Sequence, residues 1–167
     1  MYYFAYGSNM STLRLKQRTA SARPVARARL PGHRLAFHKF SKVDLSGKCD
    51  IPQSDDPEHY VIGVVFEIDP REKPLLDSIE GLGKGYEIKE VTVIGESNNR
   101  YRAFAYYATK IDSRLKPYHW YKEHVLRGAR EHGFPIDYID WLEEIESIND
   151  PDPDRSIAQL GIYTPVR

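Results

Sequence analysis

Cysteine is almost missing from this chain, with one residue, Cys49, in 167. A lone thiol excludes an internal disulfide framework and a cysteine-rich metal site, and it makes a reducing compartment the natural home. Long apolar runs are missing too. The longest, "VIGVVF" from Val61 to Phe66, is far too short to span a bilayer, and no basic residue precedes the short apolar stretch at Tyr2 to Tyr6 as a secretory signal requires. The expectation is a cytoplasmic protein with no membrane partner. Charge of one sign is not in excess, since 24 basic residues face 24 acidic ones. No repeat, low-complexity tract or linker interrupts the chain, and residues 1–167 read as a single domain long enough to bury a core, with the tail after about 149 irregular.

The balanced charge is unevenly spread. Nine basic residues, from Arg14 to Lys42, come before the first acid, Asp44, and acids crowd Asp137 to Asp154. A basic run of this kind is one footprint of a nucleic-acid partner. The alternation in "RPVARARL" favours a plainer reading, with Arg23, Arg27 and Arg29 on one solvated face of a strand, which the acidic C-terminal part could also neutralise within the fold or across a dimer; no nucleic acid is expected.

Aromatic content marks Tyr2 to Tyr6 as a strand, and Met10 to Arg18 reads as a short helix. Strands follow at Arg23 to Leu30 and Arg34 to Phe40, broken at Pro31-Gly32. The polar stretch from Ser41 to Glu58 reads as a long loop. Tyr60 to Ile68 is a strand, central because its apolar run is nearly continuous. Asp69-Pro70 starts a helix, with Asp69 as N-cap, Glu72 completing a capping box, and Leu75, Leu76 and Ile79 forming its apolar side. "EGLGKGY" stops it. Strands at Tyr86 to Ile94 and Arg100 to Thr109 precede helices at Pro117 to Glu131 and Ile136 to Ile148. Strands first and helices late give the α+β class, with a largely antiparallel or mixed sheet.

Three places carry chemistry. The first is the turn Gly7-Ser8-Asn9, where a strand runs into a helix. Such a turn either gathers unpaired N–H groups that hold a carboxylate or an oxyanion, or simply caps the helix through Ser8 or Asn9. No G-x-S-x-G frames Ser8 and no Walker loop occurs. The second is Glu80, at the C-terminal end of its helix, where the dipole disfavours an anion, and one turn after Leu76. That setting suits a carboxylate which takes and returns a proton, although an exposed terminal glutamate is the common case. The third is Tyr121, which shares helical spacing with Tyr118, Val125 and Ala129 and should face inward. His119, His124 and His132 lack the spacing of a helical metal pair, so no metal is expected. Cys49, placed in the polar loop, has nothing beside it that would make it a nucleophile.

"YFAYGSNM" at Tyr3 to Met10, "LLDSIEGLGKGYE" at Leu75 to Glu87 and "YKEHVLRGAREHGFP" at Tyr121 to Pro135 together resemble the γ-glutamylcyclotransferase, or AIG2-like, family. The glutathione-specific branch has leucine where this chain has Asn9, so the resemblance is to the YGSN branch. It implies a small mixed β-barrel with flanking helices and a substrate cavity at the turn after the first strand. It also implies roles: Tyr3, Tyr6, Gly7, Ser8 and Asn9 grip a γ-glutamyl moiety, Glu80 is the acid/base, and Tyr86 and Tyr121 border the cavity. In the implied reaction the α-amine of a γ-glutamyl amide attacks its own γ-carbonyl, releasing 5-oxoproline and an amine or amino acid. It needs no cofactor. Alternatives within the same likeness are a cyclotransferase for γ-glutamylamines or a biosynthetic intermediate, and a non-catalytic member that binds a small carboxylate or a protein. A homodimer is implied by the family alone.

Overall fold

Five strands close on themselves in the computed structural model, which describes residues 1–164. Strands β1 (Tyr2–Ala5), β2 (Arg23–Pro31), β5 (Tyr60–Glu67), β6 (Tyr86–Gly95) and β7 (Arg100–Ala108) form a barrel in the order β1-β5-β2-β6-β7. Every neighbouring pair is antiparallel except β1 and β7, which run parallel and meet at Tyr3 and Phe104. The barrel is therefore mixed. Strand β5 lies between β1 and β2, and its residues Val61 to Phe66 are all buried, as a run without alternation requires. Phe66 of this strand and Phe4 of the neighbouring β1 are fully buried, each contributing about 2–3 kcal/mol of apolar burial.

The first strand ends at Ala5, and Tyr6 leads into a single 3-10 turn, Ser8–Met10, before the short helix α1 (Thr12–Lys16). Helix α3 (His119–Glu131) crosses over this turn. A Cβ on Gly128 would stand 2.4 Å from Met10 Cβ and 2.6 Å from the Met10 carbonyl carbon, so only glycine lets α3 come this close. Tyr121, Val125 and Ala129 face inward from α3 as their spacing predicts. Helix α4 (Ile136–Glu144) follows and stops four residues earlier than the sequence pattern suggests.

Several expectations need correction. The stretch from Ser41 to Glu58 is not one loop, because Gly47–Asp50 forms strand β4 and pairs with β3 (Ala36–Phe40) in a separate two-stranded sheet. Cys49 thus sits in a strand and is buried. The tail after 149 is not irregular within the described residues. Asp152 accepts a hydrogen bond from Arg155 N, and with Pro153 in the first turn it starts helix α5 (Pro153–Gly161). At the other predicted helix start, Asp69 caps a 3-10 turn, Pro70–Glu72, that runs into α2 (Lys73–Glu80). Glu72 closes no capping box; it accepts from the N–H and hydroxyl of Ser21 instead. Of the apolar side expected for α2, only Leu76 is buried, while Leu75 and Ile79 face solvent.

The charges also pair differently. A bulge between Pro24 and Ala26 throws Arg23 out of register with Arg27 and Arg29. Arg23 pairs with Glu67 and Arg27 with Glu96, both on or beside barrel strands. The C-terminal acids Glu143, Glu146 and Asp150 pair with Arg130, Lys116 and Arg155 in their own half of the chain. No described helix is long and apolar enough to cross a membrane.

Candidate active site

Strand β1 carries Tyr3, whose buried ring stacks on Phe104 of β7 at 5.1 Å between centroids. The chain then turns through Tyr6 and Gly7 into the 3-10 turn. Tyr6 is held by donating its hydroxyl to the Tyr106 carbonyl. Gly7 passes against β4 so closely that a Cβ would stand 2.9 Å from Cys49 Cβ and 3.3 Å from the Tyr121 hydroxyl. The capping alternative for the turn fails, because the N-cap of α1 is Ser11, whose Oγ accepts from Arg14 N. The Met10 N–H returns to the Gly7 carbonyl, and the N–H groups of Gly7, Ser8 and Asn9 have no partner among the described residues.

Asn9 turns its side chain inward and organises the centre. Its Nδ2 donates to the Tyr3 hydroxyl at 3.0 Å and to Glu80 Oε1 at 2.9 Å, and its Oδ1 accepts from Arg18 at 2.9 Å. Arg18 also donates to Glu80 Oε1 at 2.6 Å. Glu80 is the last residue of α2, which Gly81 ends in the left-handed conformation, and its side chain is 15% exposed. Arg18 supplies a cation against the adverse end of the α2 dipole and fixes one carboxylate oxygen. Oε2 has no partner among the described residues and is left for a proton donor in the cavity.

The far wall is β4. Tyr86 of β6 donates to the Cys49 carbonyl at 2.6 Å, and the Cys49 N–H donates to the Tyr121 hydroxyl of α3 at 3.0 Å. Two tyrosines thus clamp the backbone of one residue. Burial pushes the Cys49 thiol up to about 12, which leaves it a neutral wall group rather than a nucleophile. Burial, then the nearby Glu80 carboxylate, raises Tyr3, and burial raises Tyr6, Tyr86 and Tyr121, so all four present hydroxyls that stay protonated. Tyr106 closes the floor and donates to Asp77 at 2.6 Å.

These groups surround a chamber of about 20 Å³, lined by all eight residues expected from the sequence together with Cys49 and Tyr106. It is continuous through Ser8, Glu80, Tyr86 and Tyr121 with an outer vestibule of about 400 Å³, walled by α1, the Ser41 to Lys48 segment, the end of α2 and helix α5. No group of three or more histidine, cysteine, aspartate or glutamate residues among the described residues is placed to hold a metal ion. The sequence reading missed Arg18, although its i, i+4 spacing from Arg14 marks a shared helical face; as part of a basic run it looked like solvated charge. It also missed Tyr106 and the Cys49 peptide, for which the local sequence holds no signal.

The AIG2-like family model matches residues 60–142. The human protein named gamma-glutamylcyclotransferase is 35% identical over 149 residues, which cover 86% of this chain and 78% of that one, and the bovine protein of the same name is 34% identical over the same span. A solved gamma-glutamyl cyclotransferase superposes with a TM-score of 0.84 at 32% identity, covering 91% of both chains. The yeast cyclotransferase specific to glutathione shares the fold alone, at 14% identity and a TM-score of 0.54. At this identity and coverage, the chain belongs to the γ-glutamylcyclotransferase family.

Proposed function

We propose that the protein is a γ-glutamylcyclotransferase that converts a γ-glutamyl amide into 5-oxoproline and a free amine or amino acid, with Glu80 as the acid/base. The observation that carries this reading is the meeting of Asn9 and Glu80, 71 residues apart in sequence and 2.9 Å apart in space, at one chamber that Gly7 and Ser8 of the turn also line. The α-ammonium of the substrate gives a proton to Glu80, and the freed amine attacks the γ-carbonyl. As the five-membered ring closes, the carbonyl oxygen gains negative charge, for which the Gly7, Ser8 and Asn9 N–H groups are suitable donors. The tetrahedral centre then collapses and the amide C–N bond breaks: the departing nitrogen takes the first proton back from Glu80, and the second proton of the ring nitrogen passes through Glu80 to the freed amine, which leaves as an ammonium beside the neutral lactam. Proton and charge balance without a covalent enzyme intermediate.

Protonated tyrosines around the chamber suit this role, since they shape the folded substrate by hydrogen bonds and do not compete with Glu80 for the proton. Tyr3, Tyr86 and Tyr121 line the inner chamber and suit it to a γ-glutamyl head, with the departing group outside in the vestibule. A cytoplasmic location agrees with the single buried thiol.

The test is release of 5-oxoproline from a panel of γ-glutamyl amino acids, γ-glutamylamines and glutathione, with Glu80→Gln as control. Release that disappears in the folded variant supports the assignment, and full activity of Glu80→Gln removes Glu80 from the reaction. Ser8→Ala should reduce the rate only in part, because the backbone makes the main contribution; complete loss in a folded protein points to a nucleophilic serine instead.

A further inference from the structure

The vestibule outside the chamber holds more positive charge than the protein itself neutralises. Among its lining cations, Arg18 pairs with Glu80, Lys48 with Asp44 at 2.6 Å, and Arg155 with the fully buried Asp150. The remaining four, Arg14, Lys39, Lys42 and Lys84, make no ion pair among the described residues.

Arg14 is the telling case. It is 8% exposed, and its Nε is buried without a hydrogen-bond partner. Its NH1 group meets only neutral partners, His124 Nε2 at 2.9 Å and Gln159 Oε1 at 2.7 Å. His124 is neutral because burial, then Arg14 itself, hold the imidazole down at about 3. The tautomer is fixed by the rest of the network. Nε2 accepts from Arg14, so Nδ1 carries the proton and donates to the Tyr163 hydroxyl at 2.6 Å, and that hydroxyl donates to Ser11 Oγ at 3.0 Å. Burial lowers Arg14 to about 10, which leaves it charged at neutral pH. A buried guanidinium with no counterion is costly, and proteins keep such a charge where a ligand supplies the anion. Helix α5 brings Gln159 and Arg155 to the same wall, so the C-terminal helix takes part in building the site.

We propose that Arg14 anchors an anionic group of the departing half of the substrate, and that the unpaired lysines around it select a departing amino acid with a second carboxylate, such as aspartate, over a neutral amino acid or an amine. This rests on the cyclotransferase reading for the reaction and goes beyond it in naming the departing group. A γ-glutamylamine with a cationic tail would meet four like charges and is disfavoured.

The experiment compares γ-glutamyl-aspartate, γ-glutamyl-alanine and γ-glutamyl-alanine amide in two ways. Turnover is followed by 5-oxoproline release, and binding to Glu80→Gln is followed by calorimetry, which needs no chemistry. The expected order is aspartate, alanine, amide in both. Each added carboxylate should improve kcat/KM about threefold to tenfold, through KM, with the advantage shrinking at high salt as screening dictates. Lys42→Gln/Lys84→Gln, both exposed in the free protein, should narrow the aspartate-to-alanine ratio, and Arg14→Gln should narrow the alanine-to-amide ratio. If none of the three compounds turns over but binding to Glu80→Gln keeps the order, the reaction assignment falls and the anion subsite stands. Equal binding of the three, or an unchanged aspartate-to-alanine ratio in the double lysine variant, overturns the subsite whatever the turnover.

Discussion

The neutral His124 beside Arg14 makes acid stability a direct probe of the vestibule network. Burial first, then Arg14, hold its pKa at about 3, against an ordinary value of 6.5. Between those values the unfolded chain binds a proton that the folded chain refuses, so unfolding is favoured as pH falls from 6.5 toward 3, and the contribution is flat above 6.5. At about pH 4.5 the unfolded imidazole is about two units below its pKa while the folded one is still neutral, a loss of about 2.7 kcal/mol. That is a large part of the stability of an ordinary domain. The perturbation is His124→Gln, in which the side-chain carbonyl still accepts from Arg14 but no longer titrates. Urea unfolding of both proteins from pH 7 to about 4.5, followed by the fluorescence of Trp120, whose ring lies 5.9 Å from the His124 ring, gives the two slopes. The wild type should lose about 2.7 kcal/mol more than the variant over this range. Parallel curves, or an imidazole that titrates near 6.5 in the folded protein by NMR, would refute the neutral histidine and with it the argument that Arg14 has only neutral partners.

Two substitutions test the frame that holds the chamber. Gly128→Ala forces a methyl into the backbone of the turn at Met10 and Ser11, and should cost about 1–3 kcal/mol or more in urea unfolding while lowering activity by displacing Asn9; unchanged stability would mean that α3 is not seated on the turn. Tyr121→Phe leaves the buried Cys49 N–H without its acceptor and should cost about 1–3 kcal/mol, with faster amide hydrogen exchange at Cys49; unaltered exchange would show that the clamp does not form.

Much of this architecture was legible in the sequence because it is local or periodic. The apolar run at Val61 to Phe66 could only be a strand covered on both faces, and the inward stripe of α3 follows from its spacing. Strand β4 was hidden because "GKCD" is short and carries one apolar residue; its strand character comes from pairing with β3 and from the two tyrosines that clamp Cys49. Helix α5 was hidden by the same prolines and aspartates that start it, since Asp152-Pro153 serves as well to begin a helix as to end one. Glu80 stood out by its position at a helix end beside three glycines, whereas Arg18 needed the third dimension, because nothing in a basic run says which member turns inward. The exposed Leu75 and Ile79 mark the opposite failure, in which an apolar pattern on α2 outran the surface available to bury it.

The parallel seam between β1 and β7 has a consequence for the order of events in folding. Tyr3 meets Phe104 only after a hundred residues of chain have been gathered, and the entropy of closing so long a loop is recovered late. Asn9 and Glu80, Tyr86 and Cys49, and Tyr121 and Cys49 are likewise joined across long separations. A partly folded chain therefore holds strands and helices but no chamber, and activity becomes the last property to appear on refolding and the first to vanish when the seam opens.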